Sequence, residues 1–228
     1  MQQYPPQRLL TLPEIRVEVK TLHEDAARWT HIRLPTAQRR LDEAKAKVVA
    51  DGLKLAPKSA YLIVLQGYIE LTQSNISSRV GNPQAATAAL EAAAEYFATA
   101  LRLNPSSASA INGMAWIYLL TKLYDSAINY SKIAIRQDPN YSNPYWTLTH
   151  ALEGKMRQFG PDLSSLTELM VNYKQLENLL SNDRGCSASD YNYVLKRRKE
   201  IKDALGKEMK DALGELDLDI WGLLPYYG

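Results

Sequence analysis

Cysteine is all but absent from this 228-residue chain, where Cys186 stands alone. No intramolecular disulfide can form, so a reducing compartment, the cytoplasm, is the expected location. A surplus of either charge is also missing, with 27 Lys and Arg against 25 Asp and Glu. No segment carries the concentrated basic excess that phosphate binding leaves, and nucleic acid is not expected as the main partner. No apolar stretch approaches the roughly 18 residues that cross a bilayer. The opening Met1-Gln2-Gln3-Tyr4-Pro5-Pro6 lacks the basic and apolar runs of a secretory signal. Phosphate loops, dinucleotide fingerprints, cysteine pairs and zinc helices are missing too. His23, His31 and His150 show no ligand spacing, so no metal or cofactor is expected and no catalysis is assigned. Cys186, in the turn Asp183-Arg184-Gly185-Cys186-Ser187, could act as a nucleophile only if a distant histidine reached it.

What the chain does have is a recurring proline, in Leu55-Ala56-Pro57, Leu103-Asn104-Pro105 and Gln137-Asp138-Pro139. Pro105 and Pro139 lie 34 positions apart, the period of a helix-turn-helix solenoid. Pro57 and Pro105 lie 48 apart, fourteen more than that period. The excess is assigned to an insertion over 73–86, where Ser74 to Pro83 is made largely of turn formers and reads as a loop.

Hydrophobic periodicity divides the rest. Over residues 1–35, Ile15, Val17 and Val19 alternate with Glu14, Arg16, Glu18 and Lys20, a strand pattern. Trp29 to Leu34 is a second short candidate, so an N-terminal arm with a small β-hairpin is expected. Helical spacing then governs Thr36–Leu53, Ser59–Thr72, Ala86–Leu103, Ser109–Leu120, Tyr124–Ile135 and Asn143–Gly154. Two later helices, Ser165–Leu180 and Ser189–Leu213, fall outside the repeat register and read as a cap over 161–214, the first opened by a Ser165/Glu168 capping box. The run Lys196-Arg197-Arg198-Lys199 is followed by acids and reads as a solvated helix face. An apolar tail, 215–228, ends the sequence.

The stretch Ala108 to Pro139 resembles a tetratricopeptide repeat. It supplies Ala115, Tyr118, Ala127, Ala134 and Pro139 where that family places small residues, an aromatic and a closing proline. The preceding unit supplies Gly67, Ala93, Phe97, Ala100 and Pro105, while Ile111 and Ser131 depart from the pattern. The resemblance covers roughly 36–160 and implies an all-α, right-handed solenoid with C-terminal capping helices. It also implies a binding role, in which the first helices of successive pairs line a concave groove. Counting from each proline gives Tyr61, Val64 and Tyr68, then Asn112, Trp116 and Leu119, then Trp146 and His150. This surface is aromatic and nearly uncharged, suited to an apolar peptide or helix of a partner protein. A carboxylate clamp is excluded, because the three groove helices as drawn carry no Lys or Arg.

An adaptor without catalysis is the leading expectation. A regulatory subunit of an enzyme or toxin, contacting it through the N-terminal arm or the C-terminal tail, is the first rival. Those two segments could also mediate self-association. A nucleic-acid-binding face over Lys196 to Lys210 is the weaker rival. Large apolar side chains also have to be buried somewhere, so the groove aromatics could instead be core covered by the arm or the last helices.

Overall fold

The computed structural model describes residues 11–29, 33–182 and 188–213, and every regular element among them is helical. The chain is all-α in this sense and divides into two compact units after Pro139.

The first unit begins with a correction. Residues Leu12–Trp29 form helix α1, where alternation pointed to a strand. Ile15, Val19 and Ala26 are buried, with Leu22 packed beside them, a spacing of four, three and four that one helix face satisfies. Val17, the residue that made the pattern look alternating, is 67% exposed. The start is also signalled locally. The Thr11 N–H and hydroxyl donate to Glu14 Oε2 at 2.8 and 2.9 Å, as in a capping box, and Pro13 sits in the first turn. Of the second strand candidate, Trp29 to Leu34, residues 30–32 lie outside the described residues, while Trp29 ends α1 and Leu34 opens the next helix, so its described part is not a strand.

Helix α2, Leu34–Lys47, buries Ala37, Leu41 and Ala44. It runs through a π-turn at Val48–Gly52 into the short α3, Leu53–Leu55. At Gly52 a Cβ would lie 2.9 Å from Leu62 Cδ1, so a larger residue there requires the Leu62 side chain to shift. Helices α4 (Ala60–Arg79), α5 (Pro83–Leu103), α6 (Ala108–Leu120) and α7 (Tyr124–Gln137) follow. Ser59, Asn82 and Ser107 cap α4, α5 and α6 by accepting from a backbone N–H three residues on. Neighbours in sequence pack together, α1 on α2, α4 on α5 and α6 on α7, and α4 also contacts α1, α2 and α6.

The expected 73–86 loop is instead helix over most of its length. Helix α4 has 20 residues against 13 in α6, and α5 has 21 against 14 in α7. The fourteen-residue excess is therefore split evenly, seven in each arm of the hairpin. The turns at the tips match: Gly81 has φ +76° and Lys122 φ +61°. In each turn the residue after that position donates to a carbonyl five back, Asn82 to Ser77 at 2.9 Å and Leu123 to Tyr118 at 2.8 Å. The polar Ser and Asn residues that resembled a loop are absorbed by burial of Ser74, Ile76 and Ser77, a tertiary override of weak local propensity.

The recurring proline has one structural role at all three places. Ala56, Asn104 and Asp138 adopt φ −143°, −144° and −145°, the extended conformation that a following proline imposes and a helix cannot continue through. The small residues of the repeat pattern, Ala93, Ala100, Ala115, Ala127 and Ala134, are all buried, as is Phe97. Phe97 lies against two glycine notches, where a Cβ on Gly67 or Gly113 would come within 2.5 or 2.4 Å of its ring.

The second unit holds α8 (Ser142–Phe159), α9 (Leu163–Asn182) and α10 (Ala188–Leu213), with α9 packed on both others. Gly160, at φ +91°, ends α8. Helix α9 is capped by Asp162, whose carboxylate accepts from the Ser165 N–H at 2.8 Å and its hydroxyl at 2.6 Å. The cap thus lies three residues before the expected Ser165/Glu168 box. Those bonds hold the Asp162 carboxyl below its ordinary pKa.

Candidate functional site

Six of the eight groove residues lie on α4 and α6 in the first unit, and two lie on α8 in the second.

In the first unit the six are not equivalent. Val64 is buried with Ile63, Leu71, Ala93 and Phe97, and Asn112 is buried as well. Tyr68 joins the two helices: its hydroxyl donates to the Ser109 carbonyl at 2.9 Å and accepts from Asn112 Nδ2 at 3.3 Å. Its ring meets Phe97 edge-on, centroids 5.1 Å apart. Tyr61 is exposed, while Trp116 and Leu119 are half-buried. Val64 and Asn112 therefore support the wall, and Tyr61, Trp116 and Leu119, with the rim of Tyr68, form what a ligand could touch. Helix α6 contains no charged residue, and its Met114, Trp116 and Ile117 pack on the same cluster while remaining partly accessible.

Helix α1 supplies two residues that the sequence reading did not include. His23 Nε2 lies 3.1 Å from the Tyr68 carbonyl and 3.0 Å from Thr72 Oγ1. A carbonyl can only accept, so Nε2 carries the hydrogen and cannot serve as a base toward Thr72. Burial pushes the His23 pKa below its ordinary value, against smaller upward effects of the Tyr68 carbonyl and Glu24. Arg16 Cζ stands 5.2 Å from the centre of the Tyr61 ring. The signal that could have placed these residues was the Thr11-Leu12-Pro13-Glu14 helix start, outweighed by a three-residue alternation.

In the second unit Trp146 stacks on His150, centroids 6.2 Å apart and 25° between planes, and tilts against Tyr193 at 6.0 Å. Burial lowers the His150 pKa, which nearby Glu153 partly opposes. Glu153 is buried and accepts from the Tyr173 hydroxyl at 2.8 Å and from Arg197 Nη2 at 2.6 Å. This network joins all three helices of the unit. Burial and the adjacent Glu153 charge push the Tyr173 hydroxyl pKa well up, so it stays a neutral donor.

Among the described residues no three His, Cys, Asp or Glu side chains are placed to hold a metal ion, and no helix is long and apolar enough to cross a membrane. Cys186, His31 and the 215–228 tail lie outside the described residues. No family model matches the chain, and no curated protein matches it.

Proposed function

We propose that this protein is a helical-repeat adaptor of tetratricopeptide type that binds a peptide or helical segment of a partner protein. The observation that carries the reading is α6, an uncharged helix with Met114, Trp116, Ile117 and Leu119 partly accessible above a buried apolar cluster. Three features support the repeat: matching extended residues before the three prolines, two hairpin turns with the same hydrogen bonding, and packing of α4 against α6. With α1 paired to α2 and touching α4, the array takes the form of a solenoid whose inner row is α1, α4 and α6. Tyr61, Tyr68, Trp116 and Leu119 then line its concave side, and Trp146 with His150 form a second aromatic contact point on α8. Half-buried aromatics on a preformed surface are the usual energetic centres of peptide recognition.

The test is selection of binding peptides from a random library displayed on phage, followed by titration of the best peptide against intrinsic tryptophan fluorescence. Trp116→Ala is expected to weaken binding by at least about tenfold, corresponding to a contact of about 1.4 kcal/mol or more. Affinity should change little between low and moderate salt, because α6, the helix that carries the reading, has no charged residue. Unchanged affinity in Trp116→Ala, or a steep loss with salt, overturns the reading.

A further inference from the structure

We propose that residues 214–228 fold back over the corner where α8 gives way to α9, so that Ile220, Trp221, Leu223 and Leu224 cover Phe159 and Leu163. The segment lies outside the described residues, and three observations point it to this place.

The first is the corner itself. Phe159, at the end of α8, is 72% exposed, more than any other large apolar side chain among the described residues. Leu163 opens α9 and is 46% exposed, and Val171, on the same helix, is 44% exposed. Residues four apart share one helix face, and between these two the Thr167 hydroxyl donates to the Leu163 carbonyl at 2.7 Å. An uncharged stripe therefore runs along α9 from the corner. A run of exposed apolar side chains of this kind marks a contact surface.

The second is where the segment starts. Helices α9 and α10 are joined through five residues and pack together, which makes them antiparallel. Helix α10 runs the same way as α8, since Tyr193 meets Trp146 and Arg197 meets Glu153 further along both. Both α8 and α10 thus finish at the end of the unit that holds the corner. Counted from Arg198, bonded to Glu177, the last turn of α10 comes level with Leu163. Counted from Arg197, bonded to Glu153, it overruns Phe159 by about ten residues, or roughly 15 Å. An extended chain covers about 3.3 Å per residue, so the return takes at most about five residues and leaves Asp219 onward to lie on the corner.

The third is composition. Eight of the fifteen residues from 214 to 228 are Leu, Ile, Trp or Tyr, and three more, Glu215, Asp217 and Asp219, are acids with no basic residue among them. The last turn of α8 offers the opposite charge: Arg157 is exposed and only 3.9 Å from Glu153, which Arg197 already matches at 2.6 Å. A partner protein or a second copy could meet the same surface from solution. The chain's own segment has the advantage of starting within reach, at an effective concentration on the order of millimolar. The contact lies wholly in the second unit and is independent of the peptide site on α6.

The chain has two phenylalanines, Phe97 and Phe159, so ring-13C phenylalanine in the full chain gives two sets of signals, which Phe159→Leu assigns. Relaxation by a soluble neutral gadolinium chelate reads their exposure, and sedimentation confirms the monomer mass of 25.7 kDa. In the monomer the Phe159 ring should be shielded, and the double variant Trp221→Ser/Leu224→Ser should raise its relaxation several-fold while Phe97 stays unchanged. The substituted residues lie beyond α10, and the unchanged Phe97 signal verifies that the fold is intact. A Phe159 ring as accessible in the unsubstituted chain as in the double variant, shielding that survives both substitutions, or shielding that is present only in a dimer overturns the proposal.

Discussion

Replacing Gly113 by alanine should destabilise the protein, although the same change in an ordinary helix interior stabilises by about 1 kcal/mol. The opposing effect is steric. An added Cβ would sit 2.4 Å from the Phe97 ring, about 1 Å inside the closest comfortable carbon contact. The ring has little room to retreat, since Phe97 is fully buried, meets Tyr68 edge-on at 5.1 Å and lies equally close to the Gly67 notch. Overpacking a tight core costs about 1–3 kcal/mol, and at so short a contact the upper part of that range applies. The net expectation is a loss of about 1–2 kcal/mol. Urea unfolding followed by far-ultraviolet circular dichroism reads it as a lower midpoint at unchanged slope. A double-mutant cycle identifies the cause. Phe97→Leu alone destabilises by leaving a void, but on that background Gly113→Ala should be neutral or stabilising, giving a coupling of about 2 kcal/mol. A raised midpoint in Gly113→Ala with Phe97 present, or strict additivity in the cycle, refutes the notch-and-ring account.

Other expectations follow from single contacts. Val17→Asp should be neutral within about 0.5 kcal/mol, whereas Val19→Asp, at a fully buried position, should abolish the fold of α1, as read by urea midpoints; a strand would place both on the same face. His23 has a folded pKa below that of the unfolded chain, so the unfolded state binds more protons below about pH 6.5. Stability should accordingly fall as pH drops through that value, and His23→Gln should flatten the dependence, measured as midpoint against pH. Lys122→Gly should raise stability by about 0.5–1 kcal/mol, because φ +61° strains every residue except glycine. Arg197→Met leaves buried Glu153 with Tyr173 and, at 3.9 Å, Arg157; with Arg197 partly exposed, a loss of about 2–3 kcal/mol is expected in thermal melts.

The eight helices expected from Thr36 onward are present, with ends shifted by a few residues where a cap outweighed periodicity, as Asp162 does for α9. Prolines and buried alanines were legible because their constraint is local. Helix α1 was missed because three alternating residues satisfy a strand over Ile15 to Val19, and only the longer span to Ala26 selects the helix. The 73–79 segment was missed for the opposite reason: its serines and asparagine are poor helix formers, held by packing of Ile76 against the cluster of α1 and α2. Of the groove residues, pattern located the helices but not the depth. Whether a position such as Asn112 ends at the surface or in the wall depends on Tyr68, 44 residues away.

The even division of the longer hairpin has a geometric consequence. Seven residues advance a helix about 700°, some 20° short of two full turns, so a seven-residue step in each arm moves the tip outward by about 10 Å while each helix keeps its facing. Length here is adjustable only in such steps, and only in both arms together. Paired deletion of 73–79 and 83–89 should shorten the hairpin to the dimensions of its neighbour without disturbing the Phe97 notch, whereas loss of a single residue from either arm would rotate every side chain beyond it by about 100°. The hairpin is in that sense a ruler with a fixed graduation.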